Sequence, residues 1–138
     1  MSLALGDAGR DASRETDVAY RVLIVDDDID LLQTLVRLLG RFGYTCLTAS
    51  SSDEAIGLME VESPDLVVTD LRMPGMDGMA VARRAQDHTP PIPVVLMTAY
   101  HTRETGRRAE EVGVTVHLAK PFANVDLVSA VQRALPDP

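Results

Sequence analysis

The feature that most constrains this sequence is a fivefold alternation of short apolar runs with longer amphipathic segments, from residue 20 to residue 136. The short runs are rich in Val, Leu and Thr, and the longer segments repeat apolar residues at helical spacing. We predict strands over residues 21–25, 45–49, 65–69, 93–97 and 114–118, and helices over residues 29–42, 53–62, 78–87, 103–112 and 123–135. This alternation with short connections predicts an α/β domain, with a parallel sheet covered by helices on both faces.

The composition of the strands predicts their order in the sheet. Residues 22–25, 66–68 and 94–97 are unbroken apolar runs, which are typical of strands buried on both faces. Residues 45–49 and 114–118 include Thr, Cys and His, as expected at the edges of a sheet. The order 2-1-3-4-5 satisfies this division and defines a flavodoxin-like, doubly wound (βα)5 fold. In that fold the ligand site lies at the carboxyl ends of strands 1 and 3.

Composition and charge exclude several classes of protein. The chain has 138 residues, 46% of them hydrophobic, which suits one folded domain. No apolar run approaches the roughly 20 residues of a membrane span, so we expect no membrane contact. The single cysteine, Cys46, excludes an internal disulfide and favours a reducing, cytoplasmic location. The net charge of −8 argues against direct binding of nucleic acid, which needs clustered basic residues.

The domain boundaries follow from the same pattern. Residues 1–19 mix Gly, Ser, Asp, Arg and Thr without periodicity, so we interpret them as a mobile tail. The first three residues could remain from cloning. We place the single domain at residues 20–138.

Charged and hydroxyl side chains follow the predicted strands at their carboxyl ends. They are Asp26, Asp27, Asp28 and Asp30 after strand 1, Asp70 after strand 3, Thr98 after strand 4 and Lys120 after strand 5. Clustered carboxylates repel one another unless a cation joins them, and an oxygen-only site suits Mg²⁺ or the similar Mn²⁺. A hydroxyl and an ammonium group would fit around phosphoryl oxygens, and a central aspartate could accept the phosphoryl group.

Each of these residues also has a structural explanation. Asp28 and Asp30 favour the start of the first helix through its cap and dipole, and we assign them that role. Asp70 alone could be a turn residue, and Thr98 alone could cap the next helix. Lys120, however, is the single lysine among 13 basic residues, and its compact charge suits a tight pocket for one anionic atom. The joint pattern therefore favours phosphoryl chemistry.

Four motifs resemble those of response-regulator receiver domains of two-component signalling, the CheY-like superfamily. They lie at residues 22–28, 65–78, 94–99 and 120–122, in this order, and the resemblance covers about residues 20–136. It implies a phosphoacceptor that receives a phosphoryl group from a sensor histidine kinase or a phosphotransfer protein. It also implies that the chain is not an enzyme beyond catalysing its own phosphorylation and dephosphorylation.

The resemblance implies a role for each acidic site residue. Asp70 would accept the phosphoryl group from a phosphohistidine. Asp26 and Asp27 would hold Mg²⁺ together with the Asp70 carboxylate and the backbone carbonyl of Arg72.

Three further residues would contact the phosphoryl oxygens. Lys120 would bind one oxygen, and the Lys120–Pro121 peptide bond is expected to be cis. Thr98 would hydrogen-bond another oxygen, assisted by the backbone of Ala99, and would move with its loop on phosphorylation.

Two departures from the family pattern affect switching and phosphoryl lifetime. The family's aromatic switch residue, three places before the lysine, is His117 here, although His117 could also be an exposed residue of an edge strand. Tyr100 could take part in switching instead. Arg72 and Tyr100 would flank the path of attacking water as large side chains, so we expect dephosphorylation to take hours rather than seconds. The rate of phosphoryl loss from a variant with smaller residues at both positions would test this expectation.

The resemblance also indicates possible partners. Receiver domains usually bind partners or dimerise through helix 4, strand 5 and helix 5, and here Arg103, Arg107 and Arg108 would line that face. A solvated helix face explains these arginines equally well. The composition of residues 135–138 is typical of the start of a linker. The protein could therefore be a single-domain regulator or could carry an output domain beyond residue 138. The loop at residues 70–78 resembles receivers of transcriptional activators that carry an ATPase domain.

Three alternatives stay open for the function. A receiver-like binding scaffold that never takes a phosphoryl group is the strongest of them. A haloacid-dehalogenase-like phosphatase would use an Asp-x-Asp pair such as Asp26 and Asp28, but position 30 is Asp where that family usually has Thr. A flavin binder of the flavodoxin type would need a Ser/Thr-rich phosphate loop, and three aspartates at residues 26–28 would repel the phosphate.

Overall fold

The computed structural model of the chain describes residues 19–73, 76–99 and 103–135. Their strands and helices alternate, in chain order, as β1 (Arg21–Val25), α1 (Ile29–Gly40), β2 (Thr45–Ala49), α2 (Ser52–Glu62), β3 (Leu66–Asp70), α3 (Gly78–Asp87), β4 (Val94–Thr98), α4 (Arg103–Glu111), β5 (Val116–Ala119) and α5 (Asn124–Ala134). Between β3 and α3, Arg72–Met73 pairs antiparallel with Met76–Asp77 outside the main sheet. The predicted tail at residues 1–19 and the end of the chain at 136–138 lie almost entirely outside the described residues.

The sheet is parallel throughout and has the order β2-β1-β3-β4-β5, which confirms the flavodoxin-like prediction. β1, β3 and β4 occupy the centre, and every residue of β3 and β4 is buried. β2 and β5 are the edges and are only partly buried. The apolar runs and the mixed runs of the sequence therefore correspond to central and edge strands.

Alternate residues of each central strand face two separate cores. Val22 and Ile24 pack with α1 and α5 on one face of the sheet, whereas Leu23 and Val25 pack with α2, α3 and α4 on the other. All four side chains are 0% exposed, and full burial of such a side chain contributes about 1.5–3 kcal/mol. Packing on both faces fixes the central strands, and with them the position of the residues at their carboxyl ends.

Two elements differ from their predicted bounds by two residues at one end, and five others differ by one residue. The first helix ends at Gly40 because the next amides bond three residues back, as Phe42 N does to Leu39 O at 3.0 Å, and Gly43 then reverses the chain with a φ of 90°. The last strand begins at Val116 because Val114 N is bonded to Ala109 O at 3.0 Å, which closes the end of α4.

The predicted cap of the first helix is confirmed, and the fourth helix is the most weakly packed. Asp28 caps α1, since its side chain accepts a hydrogen bond from Leu31 N. α4 packs thinly, because Ala109 is the one buried side chain within this helix. No helix in the described parts of the chain is long and apolar enough to cross a bilayer.

Candidate functional site

The carboxyl edge of the sheet brings together the acidic residues that follow β1 and β3. These strands are neighbours in parallel register, with Val25 opposite Thr69, so Asp26 and Asp70 emerge side by side. Asp26 is only 1% exposed, and its Oδ1 accepts a hydrogen bond from Asp28 N at 2.9 Å. Asp70 is 9% exposed at the end of its strand. Adjacent central strands therefore bury two carboxylates next to each other.

Asp27 completes a cluster that can hold a metal ion. One carboxylate oxygen from each of Asp26, Asp27 and Asp70 lies within 4.8 Å of the other two. The three ligands offer oxygen only, and the exposed Asp27 leaves one side open to water, a combination that suits Mg²⁺. The backbone of Arg72 follows two residues after Asp70, and its part as a carbonyl ligand stays a prediction. The residues that are present fit the metal that the sequence predicts.

Lys120 reaches the same cluster from the far edge of the sheet. Its Nζ lies 3.0 Å from Asp26 Oδ2 and 3.4 Å from Asp70 Oδ1. The backbone is held in place too, because Lys120 N donates to Thr98 O at 2.8 Å. The Lys120–Pro121 peptide bond is cis, as predicted. The single lysine of the chain thus bridges two buried carboxylates.

The cluster contains more negative than positive charge. Burial raises the pKa of Asp70 above its ordinary value, and the charge of Asp26 raises it further, while Lys120 partly opposes both effects. For Lys120, burial lowers the pKa, but the hydrogen bond and charge of Asp26, followed by those of Asp70, produce a net rise. The ammonium therefore stays charged, and alone it cannot neutralise three carboxylates. The cluster has the electrostatic character of a cation site.

Comparison with known proteins agrees with this arrangement. A sequence profile described as the response regulator receiver domain matches residues 22–132. The chain belongs to this family. Among solved structures, the receiver domain is similar to the chemotaxis protein CheY4 of Vibrio cholerae, with a TM-score of 0.80 and 30% identity, covering 86% of this chain and 100% of that one.

Two curated relatives differ in length from each other. The DNA-binding transcriptional regulator NtrC of Salmonella typhimurium is 35% identical over 114 residues, which is 83% of this chain and 24% of NtrC. Sporulation initiation phosphotransferase F of Bacillus subtilis is 34% identical over 116 residues, which is 84% of this chain and 94% of that protein. The receiver domain therefore spans about a quarter of the first relative and nearly all of the second.

A cleft next to the cluster leads to the predicted phosphoryl-binding residues. It has a volume of about 390 Å³ and is lined by Asp28, Leu31, Ala99, Lys120, Pro121 and Phe122. Thr98, at the end of β4, is 1% exposed, and Ala99 is exposed directly after it. Ala99 and Lys120 therefore line one cleft, and Thr98 is the buried residue that immediately precedes Ala99.

The predicted switch and gating residues are described only in part. His117 lies in β5 opposite Leu96, three residues before Lys120, and is half-buried rather than exposed to solvent. Tyr100 and the side chain of Arg72 lie outside the described residues, so the expectation of slow dephosphorylation stays a prediction.

Sequence reasoning assigned no role to two residues that contact the backbone of Asp70. Thr69 Oγ1 donates a hydrogen bond to Asp70 O at 3.0 Å, and Gly78 packs against the same carbonyl. From the sequence, a threonine in an apolar strand indicates such a contact only weakly. Gly78, which ends the motif at residues 65–78, indicates a close backbone approach more strongly.

The raised pKa of Asp70 predicts that its charge destabilises the metal-free domain. The folded state binds the Asp70 proton more tightly than the unfolded state, so this stabilising contribution exists at low pH and is lost as the pH rises through the folded-state pKa. We therefore expect Asp70→Asn to raise the melting temperature by about 3 °C near pH 7 without metal, and by less near pH 4. Thermal unfolding with a chelator measures both values. Asp53→Asn, an exposed acid outside the cluster, is the control, and a less stable Asp70→Asn at neutral pH would contradict the prediction.

Proposed function

We propose that this receiver domain accepts a phosphoryl group on Asp70 from the phosphohistidine of a sensor kinase or phosphotransfer protein. The observation that carries the proposal is the position of Asp70 within a cluster of two further carboxylates and one ammonium. One oxygen of its carboxylate lies within 4.8 Å of an oxygen of Asp26 and of Asp27, and Asp70 Oδ1 lies 3.4 Å from Lys120 Nζ. A carboxylate in this position is a nucleophile whose surroundings can bind the charge of an incoming phosphoryl group.

The transfer exchanges one bond to phosphorus for another. A carboxylate oxygen of Asp70 forms the new bond to phosphorus. The bond between phosphorus and the donor's imidazole nitrogen breaks, which leaves the donor with an unphosphorylated histidine. Asp26, Asp27, Asp70 and the Arg72 carbonyl would hold Mg²⁺ or Mn²⁺. When bound, this metal neutralises the carboxylates and phosphoryl oxygens as charge develops. Because the domain supplies only its own acceptor group, we propose that it is not an enzyme for other substrates.

Lys120 and the end of β4 would bind the transferred group. The ammonium of Lys120 already lies between two carboxylates, and a phosphoryl oxygen on Asp70 would become an additional partner within its reach. The Thr98 hydroxyl and the Ala99 amide would donate to another oxygen and pull the β4–α4 connection inward. α4, with Ala109 as its one buried side chain, would then shift at small cost in free energy.

The setting of the domain is proposed from its relatives. NtrC is a DNA-binding transcriptional regulator of which this chain matches about a quarter, so we propose an output domain beyond residue 138 as one arrangement. Phosphotransferase F matches almost over its full length, so a single-domain protein is the other. The α4–β5–α5 face would serve as the dimer or partner surface. We also propose a cytoplasmic location, since the single cysteine, Cys46, suits a reducing compartment.

The proposal is tested by intact mass after incubation with Mg²⁺ and acetyl phosphate. Wild type should gain the mass of one phosphoryl group, Asp70→Asn should gain none, and the control Asp53→Asn should match wild type. Lack of any gain, even with a phosphorylated histidine donor, would favour a binding scaffold. Gain by Asp70→Asn as well would move the nucleophile to Asp26 or its neighbours and favour the phosphatase alternative.

A further inference from the structure

We propose that Thr69 and Gly78 are positioning residues, which together fix the peptide group that follows Asp70 and so aim its carboxylate at Lys120. The inference rests on the proposed phosphoacceptor function of Asp70. Neither residue has a side chain that enters the acidic cluster. Both act on one backbone carbonyl, that of Asp70.

Thr69 holds this carbonyl through a hydrogen bond. Its side chain is 0% exposed, and Oγ1 donates to Asp70 O at 3.0 Å. β3 is otherwise apolar up to Asp70, and burying a hydroxyl without a partner is unfavourable, so the bond is the stable state for this side chain. The hydroxyl therefore restrains the orientation of the next peptide group along the chain.

Gly78 restrains the position of the same carbonyl, because its backbone lies in close contact with it. Gly78 N donates to Leu71 O at 2.5 Å, which folds the start of α3 back onto the end of β3. A Cβ at residue 78 would overlap Asp70 O and would lie 2.9 Å from the Asp70 carbonyl carbon. These are backbone atoms of a buried strand and cannot swing aside like the end of a side chain. Only glycine permits this approach.

The amide side of the peptide group is held as well. Leu71 N donates to Met97 O at 2.9 Å, which ties the group to β4. Contacts with Thr69, Gly78 and β4 thus restrain one peptide unit, which lies between the Asp70 side chain and the Arg72 carbonyl. Any side chain at residue 78 must displace this unit and move the carboxylate from its place 3.4 Å from Lys120 Nζ. A displacement of about 1 Å in a reacting group can cost up to about a hundredfold in rate.

The test uses four single variants and one double variant in the intact chain. Thr69→Val removes the hydroxyl and keeps the shape, whereas Thr69→Ser keeps the hydroxyl. Gly78→Ala adds the Cβ, and Gly57→Ala is its matched control, because nothing lies within 4 Å of a Cβ at Gly57. The measurements are the initial rate of phosphoryl gain from acetyl phosphate, hydrogen exchange of the Leu71 amide without metal, and the melting temperature.

We expect Gly78→Ala to accept the phosphoryl group at least about tenfold more slowly than wild type, and Thr69→Val about threefold more slowly. Thr69→Ser and Gly57→Ala should stay within about twofold of wild type. Exchange of the Leu71 amide should be faster in both slow variants. The deficit of Gly78→Ala should persist when Gly57→Ala is added to raise the melting temperature.

Three results would overturn the proposal. One is a wild-type rate in both Thr69→Val and Gly78→Ala. Another is a deficit in Gly78→Ala that disappears once stability is restored, which would make the role merely structural. The third is a deficit in Thr69→Ser equal to that of Thr69→Val. If Gly78→Ala does not fold, the comparison of Thr69→Val with Thr69→Ser tests the proposal. If wild type accepts no phosphoryl group, the proposed function fails, and hydrogen exchange of the Leu71 amide alone tests the positioning role.

Discussion

Lys120→Met should lower the stability of the metal-free domain by about 2–3 kcal/mol and its melting temperature by about 10 °C. The physical reason is the burial of Asp26, which is 1% exposed and has the Lys120 ammonium 3.0 Å from its Oδ2. Removal of one member of a buried ion pair leaves the other charge uncompensated, and here the neighbouring Asp70 carboxylate adds repulsion. Lys120 is itself 24% exposed, which places the effect below that of a fully buried pair. Thermal and urea unfolding with a chelator measure the loss.

Two comparisons separate charge from packing in this prediction. Lys120→Arg keeps the charge but not the compact head, so it should recover only part of the stability. The double variant Lys120→Met/Asp26→Asn removes both charges and should be more stable than Lys120→Met alone. Mg²⁺ should also stabilise Lys120→Met more than wild type, because a dication then replaces the missing positive charge. Equal stability of Lys120→Met and wild type without metal would contradict the assignment of Lys120 as the internal counter-ion.

Asp26→Asn should weaken Mg²⁺ binding by roughly tenfold or more, and phosphoryl gain from a small donor should fall with it. Asp26 is the buried member of the cluster, held in place by its hydrogen bond from Asp28 N, so its oxygens are preorganised for a cation. The exposed Asp27 pays more side-chain entropy on binding, so Asp27→Asn should have a smaller effect. Magnesium titration, followed by the shift of the melting temperature, gives the apparent affinity of each variant.

A matched control is available on the adjacent helix. Asp30, exposed in the first turn of α1, carries the same charge but is not part of the cluster, so Asp30→Asn should leave Mg²⁺ affinity within about twofold. A chelator should abolish phosphoryl gain in all of these proteins. Equal affinities for Asp26→Asn and Asp30→Asn would show that general negative charge, and not the cluster, attracts the metal.

The predictions for Lys120→Met and Asp26→Asn both depend on the excess of negative charge in the cluster. Without metal, the ammonium of Lys120 is the one cation among the described residues bonded to the cluster, and three carboxylates exceed it. This excess of negative charge lowers the stability of the metal-free domain, and it favours binding of a cation at the cluster. This also explains why Asp70→Asn should stabilise the domain while it abolishes the proposed function.

The elements and their order were predictable from residues alone. Unbroken apolar runs such as 22–25 can be stable only with both faces covered, whereas mixed runs such as 45–49 tolerate an edge. Because parallel strands end at a common edge, the aspartates that follow strands 1 and 3 had to converge. The unusual single lysine pointed to a special environment for Lys120. These inferences depend on hydrophobic periodicity, which is a local property of the chain, and on the general rule that parallel strands end at one edge of a sheet.

Other features depended on long-range contacts and were decided only by the tertiary structure. The 3.0 Å contact between Asp26 and Lys120 joins residues that are 94 positions apart in the sequence. The burial of Asp26 depends on the packing of separate elements, and so do the burial and the neighbouring Asp26 charge that raise the pKa of Asp70. The half-buried position of His117 depends on the packing of β5, which its composition alone does not reveal. The contacts of Thr69 and Gly78 with one carbonyl depend on how tightly α3 folds back onto β3. Sequence pattern determined which groups meet at the carboxyl edge, and packing decided their distances, because ångström-scale separations depend on how all neighbouring elements fit together.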